Sequence, residues 1–220
     1  MSISRPTHSF KRSLAVAAAV AIAAPLVAIS PANAAVTCNG LDATIFPDLN
    51  GVYDAQFVNA DGEIIGTAGD DVIFGTNGPD VIRSGDGNDT ICTAAGDDQV
   101  WAGAGDDYVS GGAGADGIRG EDGADFILGG EGRDRVLGGR GNDIADGGPQ
   151  NDILNGGSGK DTLLGGVGND RLFGGNGNDT LLSGRSAGDR MNAGNGAKDS
   201  CSDPDGVFLT RNCEIINLPA

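Results

Sequence analysis

The sequence predicts an all-β protein, a two-sided solenoid in which short strands alternate with glycine-rich loops. Three observations predict it. A nine-residue register runs unbroken from Gly66 to Leu182, in 13 units that begin at residues 66, 75, 84, 93, 102, 111, 120, 129, 138, 147, 156, 165 and 174. The sixth position is Asp in every unit. The eighth is Val, Ile or Leu in 12 of them, the exception being Ala145. With 40 glycines and 31 acidic residues the chain resembles a disordered one by composition. A flexible linker, however, has no reason to keep phase over so many units.

The first six residues of a unit read as a loop. "GGSGKDTLL", "GGVGNDRLF" and "GGNGNDTLL" (156–182) show the pattern plainly. Glycine reaches positive φ without a Cβ clash, so a G-G-x-G-x-D loop can aim main-chain oxygens inward, and the Asp adds a charged oxygen at its end. The last three residues read as a strand. Side chains alternate along a strand, so position 8 faces the interior and positions 7 and 9 face outward. Two units close one coil of 18 residues with a strand on each side, and 13 units give six and a half coils. Stacked coils pair their strands in parallel, about 4.8 Å apart.

Carbonyls and carboxylates without His or Cys form an all-oxygen site. Such a site suits a hard cation, and a flexible one suits calcium, with about 6–8 ligands, over the stricter octahedron of magnesium. One loop offers too few oxygens, but a loop stacked on the next loop of the same edge offers enough. Seven odd-numbered and six even-numbered units leave at most 11 gaps between loops, hence up to about 11 Ca²⁺.

This repeat resembles the RTX, or haemolysin-type, calcium-binding nonapeptide, over residues 66–182. The resemblance implies a right-handed parallel β-roll with Ca²⁺ held between successive loops. In that family the sixth-position Asp is a ligand. Carried over unit by unit, the metal ligands are Asp71, Asp80, Asp89, Asp98, Asp107, Asp116, Asp125, Asp134, Asp143, Asp152, Asp161, Asp170 and Asp179. The flanks also resemble small secreted proteins of actinobacterial type that carry such repeats.

Residues 1–34 read as a secretory signal peptide. Arg5, Lys11 and Arg12 precede an apolar run from Leu14 to Ile29, and Ala32 and Ala34 form an Ala-x-Ala cleavage pattern. The run is short for a membrane span and is broken by Pro25. The expected mature chain is extracellular. It has 11 basic residues against 31 acidic ones, a net charge of −20, which 11 Ca²⁺ would offset. Such a surface repels nucleic acid and anionic lipid. The only histidine, His8, lies in the leader, which excludes histidine triads and the usual zinc enzymes from the mature protein.

Residues 35–65 are expected to form an N-terminal cap. Residues 183–220 are expected to hold degenerate repeats and a C-terminal cap, because the Asp phase slips there: Asp189 comes one place late and Asp199 slips again, which makes both doubtful ligands. Four cysteines allow three pairings. Cys201 and Cys213 bracket a turn-rich segment and are expected to pair, leaving Cys38 with Cys92 and the N-terminal segment against the start of one face. The two outer faces differ. The odd one is apolar, with Val72, Phe74, Tyr108, Phe126 and Ile144. The even one carries Arg83, Arg119, Arg135 and Arg171, expected to pair with acids such as Glu121 and Glu131. Gln150 at a glycine position and Ala145 in the core column predict weaker metal binding over residues 138–155.

The expected function is that of a secreted calcium-binding module with a structural, adhesive or interaction role, folding on Ca²⁺. Its partners are calcium ions and a protein or cell-surface glycan; nucleic acid and a membrane span are not expected. No HExxH occurs, and the acids sit at metal-loop positions, so no enzyme is expected. The alternative is a small β-solenoid polysaccharide lyase or epimerase using carboxylates.

Overall fold

The structure is a computed structural model that describes residues 62–185, 188–204 and 209–215. The expected leader, Cys38 and all but the last residues of the expected N-terminal cap lie outside the described residues.

Among the described residues every element is a strand, and the strands form two parallel nine-stranded sheets. One sheet contains β1 (Ile64–Ile65), β3 (Val81–Asp86), β5 (Gln99–Ala104), β7 (Gly117–Asp122), β9 (Arg135–Arg140), β11 (Ile153–Ser158), β13 (Arg171–Asn176), β15 (Arg190–Asn195) and β17 (Leu209–Arg211), in that order. The other contains β2 (Val72–Phe74), β4 (Thr90–Cys92), β6 (Tyr108–Ala113), β8 (Phe126–Glu131), β10 (Ile144–Asp146), β12 (Thr162–Leu164), β14 (Thr180–Leu182), β16 (Ser200–Ser202) and β18 (Glu214–Ile215). Successive strands alternate between the sheets, so two nonapeptides make one coil of a parallel β-solenoid of about 8 turns. Among the described residues no helix is long and apolar enough to cross a membrane.

The register is set by the repeat. Ile82 lies beside Val100 and Val100 beside Ile118, 18 residues apart each time. Every position-8 side chain from Ile73 to Leu181 is buried, with Ala145 continuing the column at its thinnest point. A one-residue slip would turn the whole column outward, so the aliphatic row alone fixes the pairing. Most strands of the first sheet run for six residues, because they continue into positions 1–3 of the next unit. In such strands position 1 also points inward, as the buried Ser84, Ala102 and Ala193 show. That is why position 1 is small: it lies against the core column inside the coil.

Stacking does not stop at Leu182. Leu172 pairs with Met191 across 19 residues and Leu181 with Cys201 across 20. The added residues are absorbed in loops, where chain length is cheap, and Met191 and Cys201 continue the buried column. Cys201 and Cys213 form a disulfide. Cys92 is disulfide-bonded too; its expected partner, Cys38, lies outside the described residues.

The arginines of the first sheet are not paired as the sequence suggests. The ion pairs among the described residues are Arg83–Glu63, at 3.5 Å, and Arg140–Asp122, at 3.3 Å. Glu121 lies in the position 2–3 half of β7 and Glu131 on β8 of the other sheet, whereas Arg83, Arg119, Arg135 and Arg171 occupy positions 7 and 9. The strand direction, and for Glu131 the sheet, therefore separates the two charges.

Candidate metal sites

Each turn from loop to strand is built around the position-6 Asp. Its main-chain N–H donates to the Oδ1 of the Asp one coil further on: Asp71 to Asp89 at 2.8 Å, Asp98 to Asp116 at 2.9 Å, Asp143 to Asp161 at 3.0 Å. Alternate units stack, so two such ladders run along the two edges of the solenoid. They continue past the phase slip, with Asp170 N–H donating to Asp189 and Asp179 N–H to Asp199. The two acids that the sequence makes doubtful thus stand in line with the rest. All 13 expected ligands are buried, at 0–8% exposure, as are Asp189 and Asp199 at 2%.

The second carboxylate oxygen distinguishes two classes. From Asp89 through Asp179, and at Asp199, the Oδ2 is buried and accepts no hydrogen bond from the protein. At Asp71 and Asp80 it does accept: Thr67 donates its main-chain N–H (2.6 Å) and its hydroxyl (2.9 Å) to Asp71, and Thr76 donates its N–H (2.7 Å) and hydroxyl (3.2 Å) to Asp80. The Ser84 and Thr93 hydroxyls stand by Asp89 and Asp98. Each hydroxyl has a single proton, however, and donates it to the main-chain carbonyl of Ala102 or Gly111.

A buried, unsatisfied carboxylate oxygen is costly, and its repetition in each coil from Asp89 to Asp179 has a chemical direction. Burial pushes the carboxyls of Asp107, Asp116 and Asp152 up to about 7. It pushes those of Asp125, Asp143, Asp161 and Asp170 up to about 6. The hydrogen bond from the neighbouring main chain opposes the shift, and the charges of stacked aspartates, such as Asp125 and Asp89 around Asp107, reinforce it. The column lacks positive charge.

Around these oxygens there is a small cradle. A Cβ on Gly129, at position 1, would lie 2.6 Å from Asp134 Oδ2 and 2.8 Å from the Gly147 carbonyl oxygen of the next coil. A carboxylate from one rung and a carbonyl from the next thus converge on a space that a side chain would fill. Among the described residues no three Asp, Glu, His or Cys side chains meet at one point. A cation held here must take much of its shell from main-chain carbonyls, which fits a hard, oxygen-seeking ion.

The loops reach this geometry through positive φ. Gly112 and Gly114, at positions 2 and 4, have φ of 89° and 144°. Three non-glycines adopt it at the same positions: Ala94 (77°), Glu121 (81°) and Gln150 (86°). A second ladder was not anticipated. At position 5 an Asn or Asp side chain accepts from the main-chain N–H one coil on, as Asp70 does from Asn88, Asn88 from Asp106 and Asn142 from Lys160. The frequent Asn or Asp immediately before the invariant Asp is its sequence signal.

A comparison with curated proteins found no match. The comparison with protein families matches the RTX calcium-binding nonapeptide repeat in four copies, over residues 65–100, 93–118, 110–145 and 146–181.

Proposed function

Because this chain belongs to the RTX calcium-binding nonapeptide repeat family, we propose that it is a secreted β-roll that folds as it binds calcium and serves a structural, adhesive or interaction role. The observation that carries the reading is the double column of buried Oδ2 atoms that no protein donor satisfies. Asp89, Asp98, Asp107, Asp116, Asp125, Asp134, Asp143, Asp152, Asp161, Asp170 and Asp179 would each offer a charged oxygen to Ca²⁺ between rungs, with Asp189 and Asp199 ending the two rows. At Asp71 and Asp80 the threonine hydrogen bonds supply what the ion supplies elsewhere, so we place the first metal one coil later. Two acids lost at the start and two gained at the end leave the ceiling at about 11 ions.

Calcium would supply positive charge to the column and join consecutive coils. Only one aliphatic side chain per nine residues enters the core column, which is little burial against the entropy of ordering nine residues. Metal binding then becomes folding free energy. Secretion is supported by the leader-like residues 1–34 and by the Cys201–Cys213 disulfide. The lyase or epimerase alternative is disfavoured because the position-6 carboxylates face inward and have no access to a polymer.

The test is far-ultraviolet circular dichroism across a calcium titration, with calorimetry for stoichiometry. Millimolar Ca²⁺ is expected to convert an expanded chain into the β-roll. A β signal that excess chelator leaves unchanged would overturn the proposal.

A further inference from the structure

The chain has a net charge of −17, yet the outer face of the β1–β17 sheet carries ordered positive charge. Arg83, Trp101 and Arg119 hold position 9 on β3, β5 and β7, and both guanidinium groups lie over the indole ring, 4.0 and 5.1 Å from its centroid. Arg135, Arg171 and Arg190 hold position 7 on β9, β13 and β15, and Arg171 lies over the Phe173 ring at 5.7 Å. Arg119, Arg135, Arg171 and Arg190 are exposed and form no ion pair among the described residues. Arg171 and Arg190 are direct cross-strand neighbours, an arrangement that destabilises a sheet unless an anion lies across it.

Between these arginines the face is notched. Gly117 lies in register between Gln99 and Arg135, and its missing side chain opens a groove of about 530 Å³ lined by Gln99, Trp101, Gly117, Arg119, Arg135 and Phe173. Guanidinium groups fit carboxylates edge-on through paired N–H bonds, and stacking on a ring pre-orders them. In the position-9 row, Trp101, Leu137 and Phe173 set apolar side chains on every second strand, with Arg119 and Asn155 between them. At the far ends of β3 and β7, Asp86, Glu121 and Asp122 confine any anion to the half with positions 7 and 9.

We infer that this face binds a carboxylate-bearing polysaccharide, a uronate polymer laid across the strands. Its carboxylates meet Arg119 and Arg135 at the notch and Arg171 and Arg190 further along, while its sugar rings lie against Trp101, Leu137 and Phe173. Successive rungs repeat about every 4.8 Å, so Arg119, Arg135, Arg171 and Arg190, on β7, β9, β13 and β15, set charges one or two rungs apart along the face. Nucleic acid is the poorer occupant, because its denser charge meets the Asp-rich loops that border the sheet. The inference rests on the calcium-folded roll and names the glycan class that this face would take.

The test uses the full chain in fixed millimolar Ca²⁺, with calorimetry against short galacturonate oligomers, their methyl esters, polyglutamate and duplex DNA. Binding is expected for the free acid, falling with salt and absent for the esters. The Arg119→Ala/Arg135→Ala double variant is expected to bind roughly tenfold or more weakly. Gly117→Glu is expected to do the same by placing a carboxylate in the notch; a Cβ there meets nothing closer than 3.9 Å, so the roll is retained. Calcium-induced circular dichroism is measured on every variant, so loss of the fold is distinguished from loss of the surface. No binding by the folded wild type, equal binding of the esters, unaltered binding by the folded variants, or equally tight polyglutamate or DNA would each overturn the inference.

Discussion

Thr67 and Thr76 do with hydrogen bonds what we assign to calcium in later coils, and this difference of one side chain can be tested. Asn in place of Asp keeps the Oδ1 acceptor and removes the charge. Asp143→Asn is expected to weaken calcium binding at the gaps it borders roughly tenfold or more, whereas Asp71→Asn leaves the calorimetric stoichiometry unchanged. The invariant sixth position gave no hint of this split; it became visible only once the donors to each Oδ2 were known. Backbone strain is equally local. Gln150 stands at φ 86° where its counterparts are glycine. A left-handed conformation costs a Cβ-bearing residue about 1–2 kcal/mol, and the added freedom of glycine returns part of that on unfolding. Gln150→Gly is therefore expected to stabilise the calcium-loaded roll by about 0.5–1 kcal/mol, read from the melting temperature at saturating calcium.

At the scale of the strand, period-2 alternation told inside from outside correctly, from Ile73 to Leu181. It did not reveal that strands run on through position 1, because a Gly-Gly pair reads as loop when only its conformational freedom is considered. Ser84 and Ala102, at the same position, belong to strand interiors. The end of the chain illustrates a second limit. A phase slip in the sequence looks like the end of the repeat, but a loop absorbs an added residue while the strands β15 and β16 keep their register. In a solenoid each coil contacts only its neighbours. Breaking the Cys201–Cys213 link, which spans 12 residues, is thus expected to act locally. For Cys213→Ser, amide exchange should quicken at β16 and remain slow at Leu154, with a cost of about 2–4 kcal/mol to the terminal coil.

For the whole molecule the buried aspartates link protons, calcium and folding. In an unfolded chain these carboxyls titrate near 3.8, whereas in the metal-free roll burial raises them to about 6–7. Between those values the folded form holds more protons than the unfolded one, so stability falls as pH rises through this window. In excess chelator the β signal is expected to be strongest below about pH 4 and to be lost as pH rises toward 7. With calcium the dependence reverses, because the ion requires the deprotonated carboxylate. The calcium midpoint is expected to rise as pH drops below about 6, followed by circular dichroism at fixed ionic strength. A metal-free roll that became more ordered with rising pH would contradict the buried carboxylate column.

The sequence by itself determined the coil: nine residues per side, one aliphatic inward, one Asp at each corner, and an all-oxygen cation chemistry. Those properties repeat, and repetition makes a local rule legible without knowledge of distant contacts. Only the tertiary structure decided which carboxylate oxygens lack a donor, that Asp189 and Asp199 join the ladders, and that Arg119 and Arg135 stand beside Trp101 and Gly117 with no ion pair among the described residues. Each of these depends on what lies one coil away, 18 to 20 residues along the chain. At that separation loop length and stacking, rather than residue type, determine who meets whom.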